Sequence, residues 1–228
     1  MDAPDALSSA AVGMRLQSDR LDVIAQNLAN ASTIGYREPT PSASPFGDAL
    51  GSAITPHATQ GALRRTGVRT DVALVGPGYL CAVTPSGIRY TRDGRLSVTA
   101  DNCLADAQGN PVLGALGAAR YPRGAHIEPD GRIVADGRVV DTLRVVSLPA
   151  DGTSAEGTYL CASRGVVPAK SKSTTVHAGY LEESTVDPIA EMTSLVAAQR
   201  AFEANQKTAQ RADETLRRAV TDVPAVRP

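Results

Sequence analysis

Large apolar side chains return every seventh residue at both ends of this chain. Leu7, Met14, Leu21 and Leu28 mark the first series, with Ala10, Ala11, Ile24, Ala25 and Ala31 in neighbouring positions. Leu195, Phe202, Ala209 and Leu216 mark the second, with Met192 and Val196 widening its stripe. A repeat of seven belongs to a helix that packs one stripe against other helices. No proline interrupts residues 5–32, so the spacing predicts a helix there, closed at Ser32-Thr33-Ile34-Gly35 with Gly35 in the left-handed conformation. The second helix carries its own start signals: Asp187 as N-cap, Pro188 at the first helical position and Glu191 against the positive end of the dipole. At about 1.5 Å per residue, each helix spans on the order of 40–50 Å.

Between these ends the pattern changes twice. Residues 37–59 hold Pro39, Pro41, Ser42, Ser44, Pro45, Gly47, Gly51, Ser52 and Pro56, the composition of an extended or partly disordered connector. Short β-prone runs then follow at 71–75, 79–83, 88–91, 96–99, 132–135 and 139–148. Ser86-Gly87, Asp93-Gly94, Gly109-Asn110, Asp130-Gly131, Asp136-Gly137 and Asp151-Gly152 stand between and after them. Asp-Gly pairs supply the positive φ of tight hairpin turns, so the middle reads as antiparallel β hairpins. The expected fold class is α+β: long terminal helices forming a coiled coil within and between molecules, around a central antiparallel all-β domain. The expected organisation is an N-terminal coiled-coil helix at 1–36, a connector at 37–60, a β domain at 61–180, a C-terminal coiled-coil helix at 181–221 and a tail at 222–228.

Charge and chemistry exclude several functions. The 228 residues carry 23 Lys and Arg against 24 Asp and Glu, a net charge of −1, and no basic run marks a nucleic-acid surface. The start, Met1-Asp2-Ala3-Pro4-Asp5, is acidic and lacks the apolar run of a secretory signal, and no stretch approaches the roughly 20 apolar residues of a membrane span. A soluble chain, either cytoplasmic or exported without such a signal, is expected. Cys81, Cys103 and Cys161 are odd in number and far apart, which argues against a disulfide framework or metal site. His57, His126 and His177 share no ligand spacing. Gly76-Pro77-Gly78 lacks the third glycine of a dinucleotide loop and runs into a strand-like segment. Asp93, Asp130 and Asp136 are lone acids before glycine, which suits turns better than calcium. No nucleophile pairs with a base by spacing, and Cys81 among apolar neighbours reads as core. No enzyme activity, cofactor, metal or small-molecule substrate is expected.

The helical stripes are wider than one partner helix covers. Val12, Leu16, Val23, Ala29 and Ile34 lie outside the first seam, and Ala197, Ala198 and Ala201 broaden the second. Periodicity alone fits equally an ordinary bundle folded back within one molecule; the breadth calls for further helices, which a homo-oligomer draws from neighbouring copies. The positions expected at the assembly interface are Leu7, Met14, Leu21, Ile24, Leu28, Met192, Leu195, Phe202 and Leu216. Asn27 and Asn30 are candidates for hydrogen bonds between helices, with solvated helix-face residues as the alternative.

Several blocks carry a resemblance. The run from Leu21 to Tyr36, LDVIAQNLANASTIGY, is similar to the N-terminal signature of bacterial flagellar rod and hook axial proteins. Gln60-Gly61-Ala62-Leu63, Thr66-Gly67 and Asp71-Val72-Ala73-Leu74 resemble the entry to that family's β domain. Tyr90-Thr91-Arg92-Asp93-Gly94 with Asn110-Pro111-Val112-Leu113-Gly114 resembles its next block. The C-terminal signature is matched by Gly179 to Asp187, Glu191-Met192 and Ala198 to Glu203. Gly76-Pro77-Gly78-Tyr79-Leu80 departs from the family's usual Gly-Asp-Gly-Phe-Phe, and Gln26 replaces the usual Asn. The resemblance implies a structural subunit of the flagellar basal-body rod, proximal or distal, whose terminal helices line a hollow helical tube that transmits torque. It further implies export through the flagellar type III apparatus without a cleaved signal peptide, and homo-oligomeric contacts plus contacts with other rod and hook axial proteins. A hook-type subunit is the nearest alternative, and it falls below the rod because the middle is short for the hook's added outer domain. A carbohydrate- or peptidoglycan-binding module, or a hydrolase with the helices as scaffold, is a more distant one.

Overall fold

A computed structural model of the chain describes residues 3–40, 55–56, 60–148, 153–156, 159–162, 169–170 and 173–221. Most of the connector, the Asp151-Gly152 pair, the tail and the side chain of Leu7 lie outside the described residues. The chain is α+β, with terminal helices and a central antiparallel β region. It separates into two compact units, Met1–Ala29 with Asp187–Pro228, and Asn30–Val186.

The helical unit is α1, Ala3–Ala29, packed on α2, Pro188–Thr221. Asp187 caps α2 as expected: its Oδ1 accepts the Ile189 and Ala190 N–H groups at 2.9 and 3.3 Å. Along α1 the buried and half-buried positions include Ala10, Gly13, Met14, Gln17, Leu21, Ile24, Asn27 and Leu28, with Asp19 and also Val23, expected outside the seam, half-buried beside them. Along α2 they include Glu191, Leu195, Ala198, Phe202, Asn205, Ala209, Ala212 and Leu216. Both sets advance mainly by alternating three and four residues, the spacing that keeps one stripe facing a partner. Ala11 and Ala25, expected beside the seam, are exposed, because one residue rotates a side chain by about 100° around the axis.

Helix α1 stops at Ala29, short of the expected Ser32. Thr33 donates both its N–H and its hydroxyl to Asn30, the carbonyl and the Oδ1 respectively, and such local polar bonds compete with helix continuation. Gly35 does take φ +68°, yet it caps nothing. Its N–H donates to the Glu182 carbonyl at 2.8 Å, and a Cβ there would stand 2.5 Å from the Arg92 carbonyl carbon.

In the β unit an antiparallel sheet runs in the order Thr153–Glu156, Tyr159–Ala162, Gly87–Thr91, Gly78–Thr84, Val145–Ser147, Ala169–Lys170. Alternation along Gly78–Thr84 sends Leu80 into a core with Val72, Leu74, Leu104, Val112 and Ile133, and sends Tyr79 and Cys81 to a second cluster with Tyr90 and Val146. Val72–Val75 pairs with Thr175–Ala178, and Leu63–Arg65 with Tyr180–Glu182.

The hairpin signals divide. Asp136 and Gly137 have φ of +51° and +72°, the pair of positive values a two-residue hairpin needs between Arg132–Ala135 and Arg138–Thr142. Asp93-Gly94 is no such turn. The Gly94 carbonyl accepts the Val72 N–H at 2.9 Å, and a Cβ on Gly94 would lie 1.6 Å from the Val72 oxygen, so this glycine serves a close backbone approach. The single run expected over 139–148 is two strands in different sheets, Arg138–Thr142 and Val145–Ser147. Between them Leu143 enters the core while its N–H donates to the Gly131 carbonyl, and a β-prone run without Gly or Pro carries no mark of that change.

Candidate functional site

The first candidate is the helix seam. Ile24 is buried, and Met14, Leu21, Leu28, Leu195, Phe202 and Leu216 are half-buried along it. Met192 sits outside, 54% exposed. Asn27 is buried and its Nδ2 donates to Glu191 Oε1 at 3.1 Å, whereas Asn30 serves the turn with Thr33 described above. Spacing had placed Glu191 only against the helix dipole. Gln17 and Asn205 are polar residues in the same seam, and the signal for them is position alone, each standing one heptad from apolar seam residues. Around this seam the helices keep apolar residues facing outward: Val12 and Leu16 on α1, and Ile189, Met192 and Val196 on α2.

The second candidate is a charge node inside the β unit, built on Glu182. Its carboxylate, 1% exposed, accepts Arg92 Nη1 at 2.8 Å on Oε2, and Arg37 Nη2 and the Gly61 N–H on Oε1, both at 3.1 Å. Arg92 also donates Nη1 to the Leu74 carbonyl at 3.2 Å and Nη2 to the Gly76 carbonyl, and its guanidinium lies 5.1 Å from the centre of the Tyr79 ring. Burial lowers the Arg92 pKa and the Glu182 carboxylate opposes that shift. Arginine stays charged throughout the usual pH range, so Arg92 brings a full positive charge to the node. The node gathers residues from blocks scattered along the sequence: Arg37 directly after the first signature, Gly61, Leu74, Arg92 and Glu182. Backbone bonds extend it, with the Thr185 N–H on the Tyr36 carbonyl at 3.1 Å, the Glu38 N–H on Thr185 Oγ1 at 2.9 Å and the Glu183 N–H on the Ala62 carbonyl at 2.8 Å. Where the chain enters and leaves the β unit, it is fastened to itself. Spacing could not reveal this, since Arg37 and Glu182 are 145 residues apart.

Reactive groups are turned to structural use. Burial pushes the Cys81 thiol up to about 11, away from the low values that make a nucleophile. Burial and a hydrogen bond to Asp106 push the Tyr159 hydroxyl up to about 12. Among the described residues no group of three or more His, Cys, Asp and Glu is placed to hold a metal ion, and no helix is long and apolar enough to cross a membrane. His177 meets the edge of Tyr180, and His57 lies outside the described residues.

A long helix before and another after the β unit in the chain, with Glu182 fastening strands and Asn27 joining helix to helix, define the architectural class of the protein. The comparisons with known proteins give the class its family. Residues 7–37 match the family described as flagella basal body rod protein, and residues 177–222 match the flagellar basal body rod FlgEFG protein C-terminal family. The chain is 34% identical over 225 residues to the flagellar basal-body rod protein FlgF of Salmonella typhimurium, covering 86% of this chain and 89% of the relative. It is 30% identical over 223 residues to FlgF of Mesorhizobium japonicum, covering 87% and 90%. It is also 29% identical over 259 residues to the rod protein FlgG of Agrobacterium fabrum, covering 92% and 95%. The chain belongs to the flagellar basal-body rod protein family.

Proposed function

We propose that this chain is a structural subunit of the flagellar basal-body rod and that it polymerises through its terminal helices. Coiled-coil packing of α1 on α2, extended to helices of neighbouring copies, gives a helical tube that transmits torque. A head-to-tail contact whose rotation does not close generates such an open array. The observation that carries the reading is the outward apolar set on a helix pair that already has a buried seam: Ile189 is 77% exposed and Val12 69%. Burying each such side chain between copies contributes about 1.5–3 kcal/mol. The chain performs no catalysis in this role. Its partners are copies of itself and other rod and hook axial proteins, it reaches the periplasm-spanning rod through the flagellar type III export apparatus, and no signal peptide is cleaved.

Met192→Asp and Leu21→Asp test the reading at an outward and a seam position. Isolated basal bodies from cells producing either variant are expected to lack the chain, and the cells to be non-motile. Normal incorporation of Met192→Asp, whose side chain the isolated subunit leaves in water, would refute polymerisation through this face.

A further inference from the structure

The helix seam contains a contact that is poorly designed for strength. Glu191 is 8% exposed, and only one of its two carboxylate oxygens has a partner, Asn27 Nδ2; Oε2 is buried without one. Gln17 Oε1 is likewise buried and unsatisfied. Removing a carboxylate from water costs more than one hydrogen bond returns, so apolar residues at 27 and 191 would hold the helices at least as firmly.

The rest of the seam discriminates weakly. Alanines at 10, 198, 209 and 212 offer nearly the same surface at successive levels, so at those levels a shift by one heptad still leaves a small apolar side chain in the seam. Two contacts define the observed alignment. Asn27 meets Glu191, and a Cβ placed on Gly13 would stand 2.8 Å from Asn205 Nδ2. The two levels are fourteen residues apart on each helix and run in opposite order, so the helices are antiparallel. A slip of seven residues slides one helix about 10 Å past the other, parting Asn27 from Glu191 and leaving a buried amide and a buried carboxylate without each other.

We propose that the Asn27–Glu191 hydrogen bond is the specificity determinant of helix pairing, selecting this one register and penalising shifted pairings of α1 with α2, within a chain or between copies. Its consequence for the rod rests on the assembly reading above. The register itself is measured on the isolated chain, so either can fail alone.

The experiment uses the full chain with Cys103→Ser and Cys161→Ser and reporter cysteines that oxidise only when adjacent. Gly13→Cys with Asn205→Cys reports the observed register; Gly13→Cys with Ala198→Cys, or with Ala212→Cys, reports slips of one heptad. With Asn27 and Glu191 in place, disulfides are expected for the first combination alone, at dilute and at high concentration. Adding Asn27→Leu and Glu191→Leu is expected to raise the slipped disulfides roughly tenfold or more while the thermal midpoint holds or rises. Glu191→Gln, which keeps an acceptor for Asn27, is expected to retain the single register. The proposal is overturned if the leucine variant still forms only the 13–205 disulfide, or if its helices melt at lower temperature, which would make the pair a source of stability and not of selection.

Discussion

The two units of this molecule sequester different kinds of side chain. Within Asn30–Val186, the fully buried residues include Leu74, Leu80, Leu104, Ile133, Val72 and Val112. Among the described residues of the helical unit, the buried apolar ones are Ala10, Ile24, Ala198 and Ala212, joined by Asn27 and Glu191. At about 1.5–3 kcal/mol per large apolar side chain, the β unit holds the means of its own stability, while a helix pair whose large apolar side chains other than Ile24 are at most half-buried holds less. A subunit divided in this way has a finished part and a part that gains its remaining burial from neighbours.

The largest effect that would sharpen this contrast comes from the charge node. Glu182→Ala leaves Arg37 and Arg92 without their carboxylate, with side chains 9% and 1% exposed. Breaking a buried ion pair from one side costs roughly 3–5 kcal/mol. Urea unfolding followed by amide protection in the β strands should register that loss. Leu21→Ala, a half-buried position of the helix seam, should cost under about 2 kcal/mol. Equal losses at the two sites would erase the distinction between the units.

Two glycines give the next largest difference. A methyl on Gly94 would lie 1.6 Å from the Val72 carbonyl oxygen, a backbone wall that moves only with its strand. Gly94→Ala is therefore expected to destabilise by about 1–3 kcal/mol, the usual range for overpacking, or more. A methyl on Gly13 meets the Asn205 side chain, whose amide can swing aside, and alanine raises helix propensity by about 1 kcal/mol. Gly13→Ala should be neutral or mildly stabilising in the same measurement. A large loss at Gly13 would show that the helices pack as tightly as the strands.

The local parts of this architecture were legible because local physics decides them. Asp187 and Pro188 start α2 as their chemistry requires, Asp136-Gly137 makes its hairpin, and the heptad stripes name the helices. Where partners come from far along the chain, the residue types mislead. Gly35 reads as a helix cap and is instead a close approach to Arg92, Asp93-Gly94 reads as a hairpin, and one β-prone run over 139–148 hides a change of sheet at Leu143. The charge node is present in the sequence only as Gly61, Leu74, Arg92 and Glu182 inside separate signature blocks, with Arg37 just after the first. A charge flanked by strand residues was a signal of burial, but nothing in the block of Arg92 or of Glu182 names its partner 90 residues away.

The smallest effect at neutral pH, and the most local probe of the β unit, is the thiol of Cys81. Its side chain is 1% exposed, and burial raises its pKa from 9.0 to about 11 against a weaker opposing pull from Arg144. Because the folded value lies above the unfolded one, the native state binds the proton more tightly. The associated stability is fully present below pH 9 and is lost as pH rises through about 11. Two pK units correspond to a loss of about 2–3 kcal/mol by the top of that window, and to a thiolate fraction lower by roughly a hundredfold at neutral pH. Iodoacetamide at pH 7.5 should therefore modify the partly exposed Cys103 and Cys161 while Cys81 stays unmodified until the β unit opens. Labelling of Cys81 at the rate of Cys103 would mean that the sheet carrying Tyr79, Tyr90 and Val146 breathes as freely as the helices, and the contrast between a finished unit and an unfinished one would go with it.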